Sequence, residues 1–451
     1  MKKLLVEGGW VIPEADSKSV IRNGAVAVEG NRIVDIGSAS EVRARFQPDE
    51  TIRASNSAVL PGFVNTHTHL VGGFNKGITE DVTGSAAGLF RRARPLQEKY
   101  VKPEYIYYPG FVHGMEMLMT GTTTINETWY NQIESAKIVR DLGIRAVIAE
   151  MVLEGTSKTA ASLDRTWDRS VAERGFEKSL ELIELFHGYD NGRITCRIAP
   201  HAPDSMREWA MLKCKDMADR YDLGLHIHLA QVPGETEYML ATYGKRPVKY
   251  LNDLGLLGER TIGIHCVFLD DSDIEIMADT KTAMSHTAYL VAKRAYFPPM
   301  PKVYASNMRV SLGSDWCSND MWKIMRTAIL FARVLSGRID IMSGYDALRL
   351  ATIDGARALG MDKDIGTLTV GKKADIVVVD MQNAWCQPVR DADVITNLVY
   401  NANGSDVTHV IVDGKVVVKE RALMTADRDD MLREAQKVAT HVWNEAAEIF
   451  Q

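Results

Sequence analysis

The stretch LGLHIHLAQ, residues 223–231, reads as a buried strand that delivers polar side chains at its end. Leu225, Ile227 and Leu229 alternate with His226 and His228, and a strand's side-chain period of 2 puts both histidines on one face. The same grammar recurs along the middle of the chain. It appears as AVLPGFVNTH (58–67), TGTTTINE (120–127), IRAVIAEM (144–151), ITCRIAPH (194–201), TIGIHC (261–266), TAMSH (282–286) and RVSLGSD (309–315). Helix-forming segments such as FEKSLELIELFHGY (176–189) and DSDIEIMAD (271–279) intervene. Eight strand-like runs separated by helical sequence predict an α/β chain with a closed parallel (β/α)₈ TIM-like barrel. A doubly wound open sheet is the competing architecture, but no GxGxxG follows the first run.

Both ends of the chain read differently. Residues 1–60 read as short strands, with AVAVEGNRIVDIG (25–37) turning at Gly30-Asn31. KADIVVVD (373–380) and THVIVDGKVVV (408–418), the latter turning at Asp413-Gly414, repeat the pattern near the C-terminus. The expectation is a small β-sandwich domain built from residues 1–60 and 368–425, a barrel over 61–367, and an amphipathic C-terminal helix over 426–451.

Bulk properties narrow the function. With 46% hydrophobic and 25% charged residues over 451 positions, the composition is ordinary for a globular protein with a thick core. A formal net charge of -6 and a pI near 6.0 argue against nucleic acid as a partner. No apolar run is long enough for a membrane span, and MKKLLVEGGW reads as a strand rather than a leader. The five cysteines are scattered without a CxxC pair, which suits reduced thiols and a cytoplasmic location.

Most of the 11 histidines worth weighing end these strands. His67 and His69 close LPGFVNTHTH, and His201, His265 and His286 close their own runs. Asp315 ends the last one. In a parallel barrel the C-terminal strand ends converge on one mouth. A single strand-end histidine is as often a hydrogen-bonded structural residue as a functional one. The coincidence of so many, each on a different strand, is what favours a metal site of nitrogen and oxygen ligands with a position left for solvent. His113, His187, His409 and His441 fall on helices or surface strands and read as packing or solvated residues.

LPGFVNTHTHL, GTTTINE, HIHLAQ, GIHC, LGSDWCSND and LATIDGARALGMDKDIGTLTVGKKADIVVVD together resemble the amidohydrolase superfamily. The chain is most similar to the branch holding atrazine chlorohydrolase, the s-triazine hydrolases and the methylthioadenosine/S-adenosylhomocysteine deaminases. The resemblance implies one divalent metal ion, zinc foremost, with iron(II) or manganese as alternatives, bound by His67, His69, His228 and Asp315. It further implies that Asp315 is the base for the attacking water, that His265 hydrogen-bonds water or substrate, and that His286 meets the substrate or the departing group. ITCRIAPHAP lacks the lysine that bridges two metals in binuclear members. A small heterocyclic substrate and a homo-oligomeric assembly complete the implied picture.

Gln231 departs from that pattern, because the deaminases of this branch carry a glutamate there. An amide has no titratable proton near neutral pH, and general acid–base help is worth about 10²–10⁴-fold. Three accounts remain: a leaving group good enough to need no proton, another proton donor such as His201, His265 or His286, or a metal-binding barrel with little turnover. Glu235 and Glu237 read as the start of a solvated helix. SHTAYLVAKRAYFPPMPK (285–302) brings Tyr289, Lys293, Arg294 and Tyr296, either as pocket residues for an anionic or aromatic group or as a surface loop. His201, Trp129, Asn126 and Tyr289 are the candidate substrate contacts. The expected reaction replaces an amino or alkylamino group of a nitrogen heterocycle by hydroxyl, with displacement of chloride or thiolate as the alternative.

Overall fold

The computed structural model describes residues 2–82, 88–155 and 166–450. Four strands open the chain: β1 (Lys3–Val11), β2 (Ile21–Glu29), β3 (Arg32–Ser38) and β4 (Glu50–Pro61). The β2–β3 hairpin turns at Gly30-Asn31, and β1 runs antiparallel to β2 but parallel to β4. One element escapes the reading of this segment as strands alone. The helix Ala39–Arg45, capped by Ser38, packs Val42 and the following Phe46 over Leu5, Ala25 and Ala27. Its apolar positions are too few to show a helical period in the sequence.

The middle of the chain supplies β5 (Phe63–Thr68), β6 (Thr122–Trp129), β7 (Arg145–Val152), β8 (Ile194–Cys196), β9 (Ala199–Pro200), β10 (Leu225–Leu229), β11 (Thr261–His265), β12 (Ala283–His286) and β13 (Arg309–Leu312). β5 to β8 pair in parallel order, as do β10 to β13, and β9 continues β8 along β7. Both seams between these two arcs are hydrogen-bonded. The Ser314 and Asp315 amides donate to His67 O at 3.0 and 2.9 Å, while those of His226 and His228 donate to Ile198 O and His201 O at 3.0 and 2.9 Å. The strands therefore form a ring, and their buried, nearly continuous apolar sequence follows from helices covering the outside.

β14 (Ile376–Asp380), β15 (Val407–Val412), β16 (Lys415–Lys419) and β17 (Ala422–Leu423) return to the first strands, giving the order β17-β16-β15-β14-β4-β1-β2-β3. It is one continuous sheet. Val6, Val26, Ile33, Val59, Ile376 and Ile411, from six of its strands, bury in a single cluster, and the edge strand β3 returns to the segment before β14, with Ile33 N donating to Lys372 O at 2.9 Å and Gly371 N to Ile33 O at 2.8 Å, so the sheet folds over itself. Arg145, at the start of β7, ties this sheet to the barrel. Its buried guanidinium donates to Asp375 at 2.7 and 2.9 Å and to Asp413 at 2.8 Å. The tail forms the helix Arg428–Glu445, capped by Asp427 and anchored by Trp443 Nε1 donating to Phe74 O at 3.2 Å. Among the described residues, no helix is long and apolar enough to cross a membrane.

Candidate metal centre

His67, His69, His228, His265 and Asp315 meet at the C-terminal mouth of the barrel. Among the described residues, the ligand atoms of His67, His69 and His228 lie within 4.8 Å of one another, as do those of His67, His265 and Asp315. Asp315 Oδ1 is 3.6 Å from His69 Nε2, and Asp315 Oδ2 is 3.6 Å from His265 Nε2 and 3.9 Å from His67 Nε2. All five side chains are buried.

The partners behind the rings decide which nitrogen faces the centre. His69 Nδ1 donates to Thr128 O, and His228 Nδ1 donates to His201 O at 3.1 Å. Each bond fixes the tautomer whose Nε2 lone pair is free to coordinate. His67 Nδ1 pairs with His226 Nε2 at 3.0 Å, leaving His67 Nε2 buried without a hydrogen-bond partner. His265 Nδ1 bonds Thr287 Oγ1 at 2.8 Å. Burial and mutual repulsion push the His67, His226 and His265 pKa values well below the usual range, and burial brings His228 to about 3. Neutral rings, with the His67 Nε2 left orphaned, beside a carboxylate are the donor set a divalent cation satisfies.

Backbone strain gathers at the same mouth. Ala230, His265, Cys266 and Asp315 all have left-handed φ, at 48°, 71°, 50° and 57°. Such conformations cost about 1–3 kcal/mol each and persist where surrounding packing over-determines them. Asp315 Oδ1 accepts from Trp316 N at 2.7 Å, which fixes the carboxylate. Gly313 lets that turn press against the first strand, because a Cβ there would lie 2.9 Å from His67 Cβ.

A small pocket lies over the centre. Trp129 and Trp316 form part of its wall, with ring centroids 4.8 and 5.4 Å from that of His69. Gln231 and His201 line it too, together with Arg94 and Arg294. Arg94 Nη2 donates to His201 Nε2 at 3.0 Å, so the ring proton sits on Nδ1, 2.7 Å from Ser205 Oγ. His201 thus borders the pocket with no ring proton directed into it.

Three candidates fall elsewhere. Asn126 donates from Nδ2 to Thr66 O at 2.8 Å and ties β6 to β5 within the wall. Tyr289 is 37% exposed on the helix Ala288–Lys293 and does not line the pocket. His286 is buried, its pKa lowered to about 4 by burial, and is also absent from the lining. Glu235 overturns its reading as a solvated residue. It is fully buried and accepts hydrogen bonds from the Ala230 and Gln231 amides. Trp316, next to Asp315, and His226, two residues before His228 on β10, were open to discovery from their motifs. Arg94 was not, because RRAR offers three arginines and only the fold selects one.

The comparisons with known proteins agree with this geometry. The amidohydrolase family profile matches residues 58–417, and a bacterial imidazolonepropionase-like composite domain profile matches residues 24–46. A 5-methylthioadenosine/S-adenosylhomocysteine deaminase from Pelotomaculum thermopropionicum is 32% identical over 98% of this chain and 100% of its own. A zinc-bound adenosine deaminase from Xanthomonas campestris superposes with a TM-score of 0.90 at 28% identity, covering 98% of this chain and 99% of its own. Zinc-bound atrazine chlorohydrolase from Arthrobacter aurescens TC1 shares the fold, with a TM-score of 0.86 at 23% identity over 97% of this chain and 100% of its own. A barrel whose strand ends gather four histidines and an aspartate, matched over most of its length, makes this chain a member of the amidohydrolase family.

Proposed function

We propose that the protein hydrolytically replaces an amino or alkylamino group on a carbon of a nitrogen heterocycle by hydroxyl. The observation that carries this reading is the convergence of His67, His69, His228 and Asp315 beneath a pocket walled by two indoles. The deaminase names of the relatives support the amine as leaving group. One divalent ion, zinc first and iron(II) or manganese next, held by those four residues, supplies a water acidified toward neutrality and an electrophilic pull on the substrate.

The chain's own groups do the rest. Trp129 and Trp316 hold a flat ring over the centre. Asp315 takes the proton of the attacking water as the new carbon–oxygen bond forms. It then returns that proton to the departing nitrogen, so water and amine exchange without a second acid. Gln231 holds the heterocycle through a hydrogen bond at its amide. His201 is a poor alternative acid, because Arg94 occupies its Nε2.

A second reading has specific support in Gln231: a halide or thiolate leaves unprotonated, and such a reaction loses nothing when glutamate becomes glutamine. Mass spectrometry of products from amino-, alkylamino- and chloro-substituted triazines, pterins and purines separates the two. Amine release carries the first reading, and selective loss of chloride or thiolate carries the second. The five free cysteines support a reducing, cytoplasmic setting. Exposed Leu330 and Val334 on the helix Met321–Ser336 support a homo-oligomer, which sedimentation velocity measures directly.

A further inference from the structure

The pocket over the centre carries fixed charge. Arg94 and Arg294 both line it, while Asp315, committed to the metal set, is the one carboxylate among the described lining residues. Gln231 stands where a second negative charge would sit in a glutamate-bearing relative. Neighbouring Lys293 is paired off with Glu80. The Arg294 guanidinium has no ion pair or hydrogen bond among the described residues, although Arg294 ends the helix Ala288–Lys293 at the pocket rim and is only partly exposed. A guanidinium held against a cationic centre without a counter-ion is disfavoured unless a ligand supplies the charge.

We propose that the substrate is a small aromatic nitrogen heterocycle bearing a carboxylate, and that Arg294 binds this carboxylate while the ring lies against the wall formed by Trp129 and Trp316. The inference rests on the hydrolytic reading above and adds the substrate class to it. Arginine's planar fork matches a planar carboxylate through two parallel N–H···O bonds, which a lysine does not reproduce.

The test is calorimetric binding to the metal-loaded protein, using pairs without an amino group that differ only in the carboxylate: orotate against uracil, and lumazine-6-carboxylate against lumazine. At least one carboxylated member is expected to bind about 10- to 100-fold more tightly than its neutral partner. Arg294→Met should collapse that ratio toward one, and Arg294→Lys should restore it only in part. Equal binding within both pairs, no binding by either carboxylate, or an undiminished ratio in Arg294→Met overturns the proposal. Product analysis on amino-substituted versions keeps the two ideas apart. Arg294-dependent carboxylate preference without amine release leaves the substrate class standing and removes the reaction. Amine release with no carboxylate preference does the reverse.

Discussion

The carboxylate of Glu235 holds the main chain of Gln231 in place: one oxygen accepts from the Ala230 amide and the other from the Gln231 amide, each at 2.8 Å. Ala230 sits at φ 48°, so these bonds secure a strained turn between the candidate ligand His228 and the pocket residue Gln231. Glu235 occupies the first turn of the helix Pro233–Tyr243, where its charge also meets the helix N-terminus. It is a positioning residue for the pocket. Glu235→Ala should cost about 2–4 kcal/mol, because buried bonds to a charged group are lost together. Glu235→Gln should fold, bind metal at full stoichiometry and lose turnover mainly in kcat. Unchanged kcat in a folded Glu235→Gln protein would show that the turn needs no such clamp.

Gln231→Glu restores a proton donor at the pocket wall. Amine release is expected to rise, by up to about 10²-fold, with metal content unaltered. A sharp fall instead would identify Gln231 as a substrate contact that tolerates no negative charge.

The proposed reaction gives Asp315 two duties, ligand and base. Asp315→Asn should lower turnover by at least about 10²-fold, with metal affinity reduced as well. Chelation of the wild-type protein should abolish turnover reversibly and lower its melting temperature, since an ion that binds only the folded state stabilises it. Full activity in Asp315→Asn, or in chelated protein, would remove the metal centre from the reaction.

Loss of stability in acid has a local source in His113, which accepts a hydrogen bond from Asn319 Nδ2 at 3.1 Å and whose pKa is brought to about 3 by burial. A histidine depressed in the fold takes up its proton only on unfolding. Its stabilising contribution is complete above the unfolded value near 6.5 and is lost as the pH falls toward 3, by up to about 1.4 kcal/mol per pH unit. In urea titrations of the metal-free protein across that window, His113→Asn should reduce the pH dependence of stability by about one proton. An unaltered slope would mean that His113 is charged in the folded state.

The Arg145 clamp between barrel and sheet should tolerate no single removal. Arg145→Met strands two buried carboxylates, at a cost of about 3–5 kcal/mol. Urea unfolding reads the loss directly, and a change below about 1 kcal/mol would show that the sheet docks without this triad.

Sequence by itself determined the elements whose logic is local. Alternation around LHIH set the face on which His226 and His228 lie, and the polar ends of successive runs marked the barrel mouth that His67, His69, His265 and Asp315 share. The hairpins at Gly30-Asn31 and Asp413-Gly414 were legible because their turn residues are chemically specific. The tertiary structure decided what depends on distant partners. His226 reaches His67 across 159 positions, Arg94 reaches His201 across 107, and Asn126 turns into the wall while Tyr289 turns outward. Glu235 reads as solvent-facing by composition, yet it is buried because the left-handed turn at Ala230 aims two amides at it. A strand's period dictates where a side chain points, but the loop following each strand takes its course from contacts that only the closed barrel supplies.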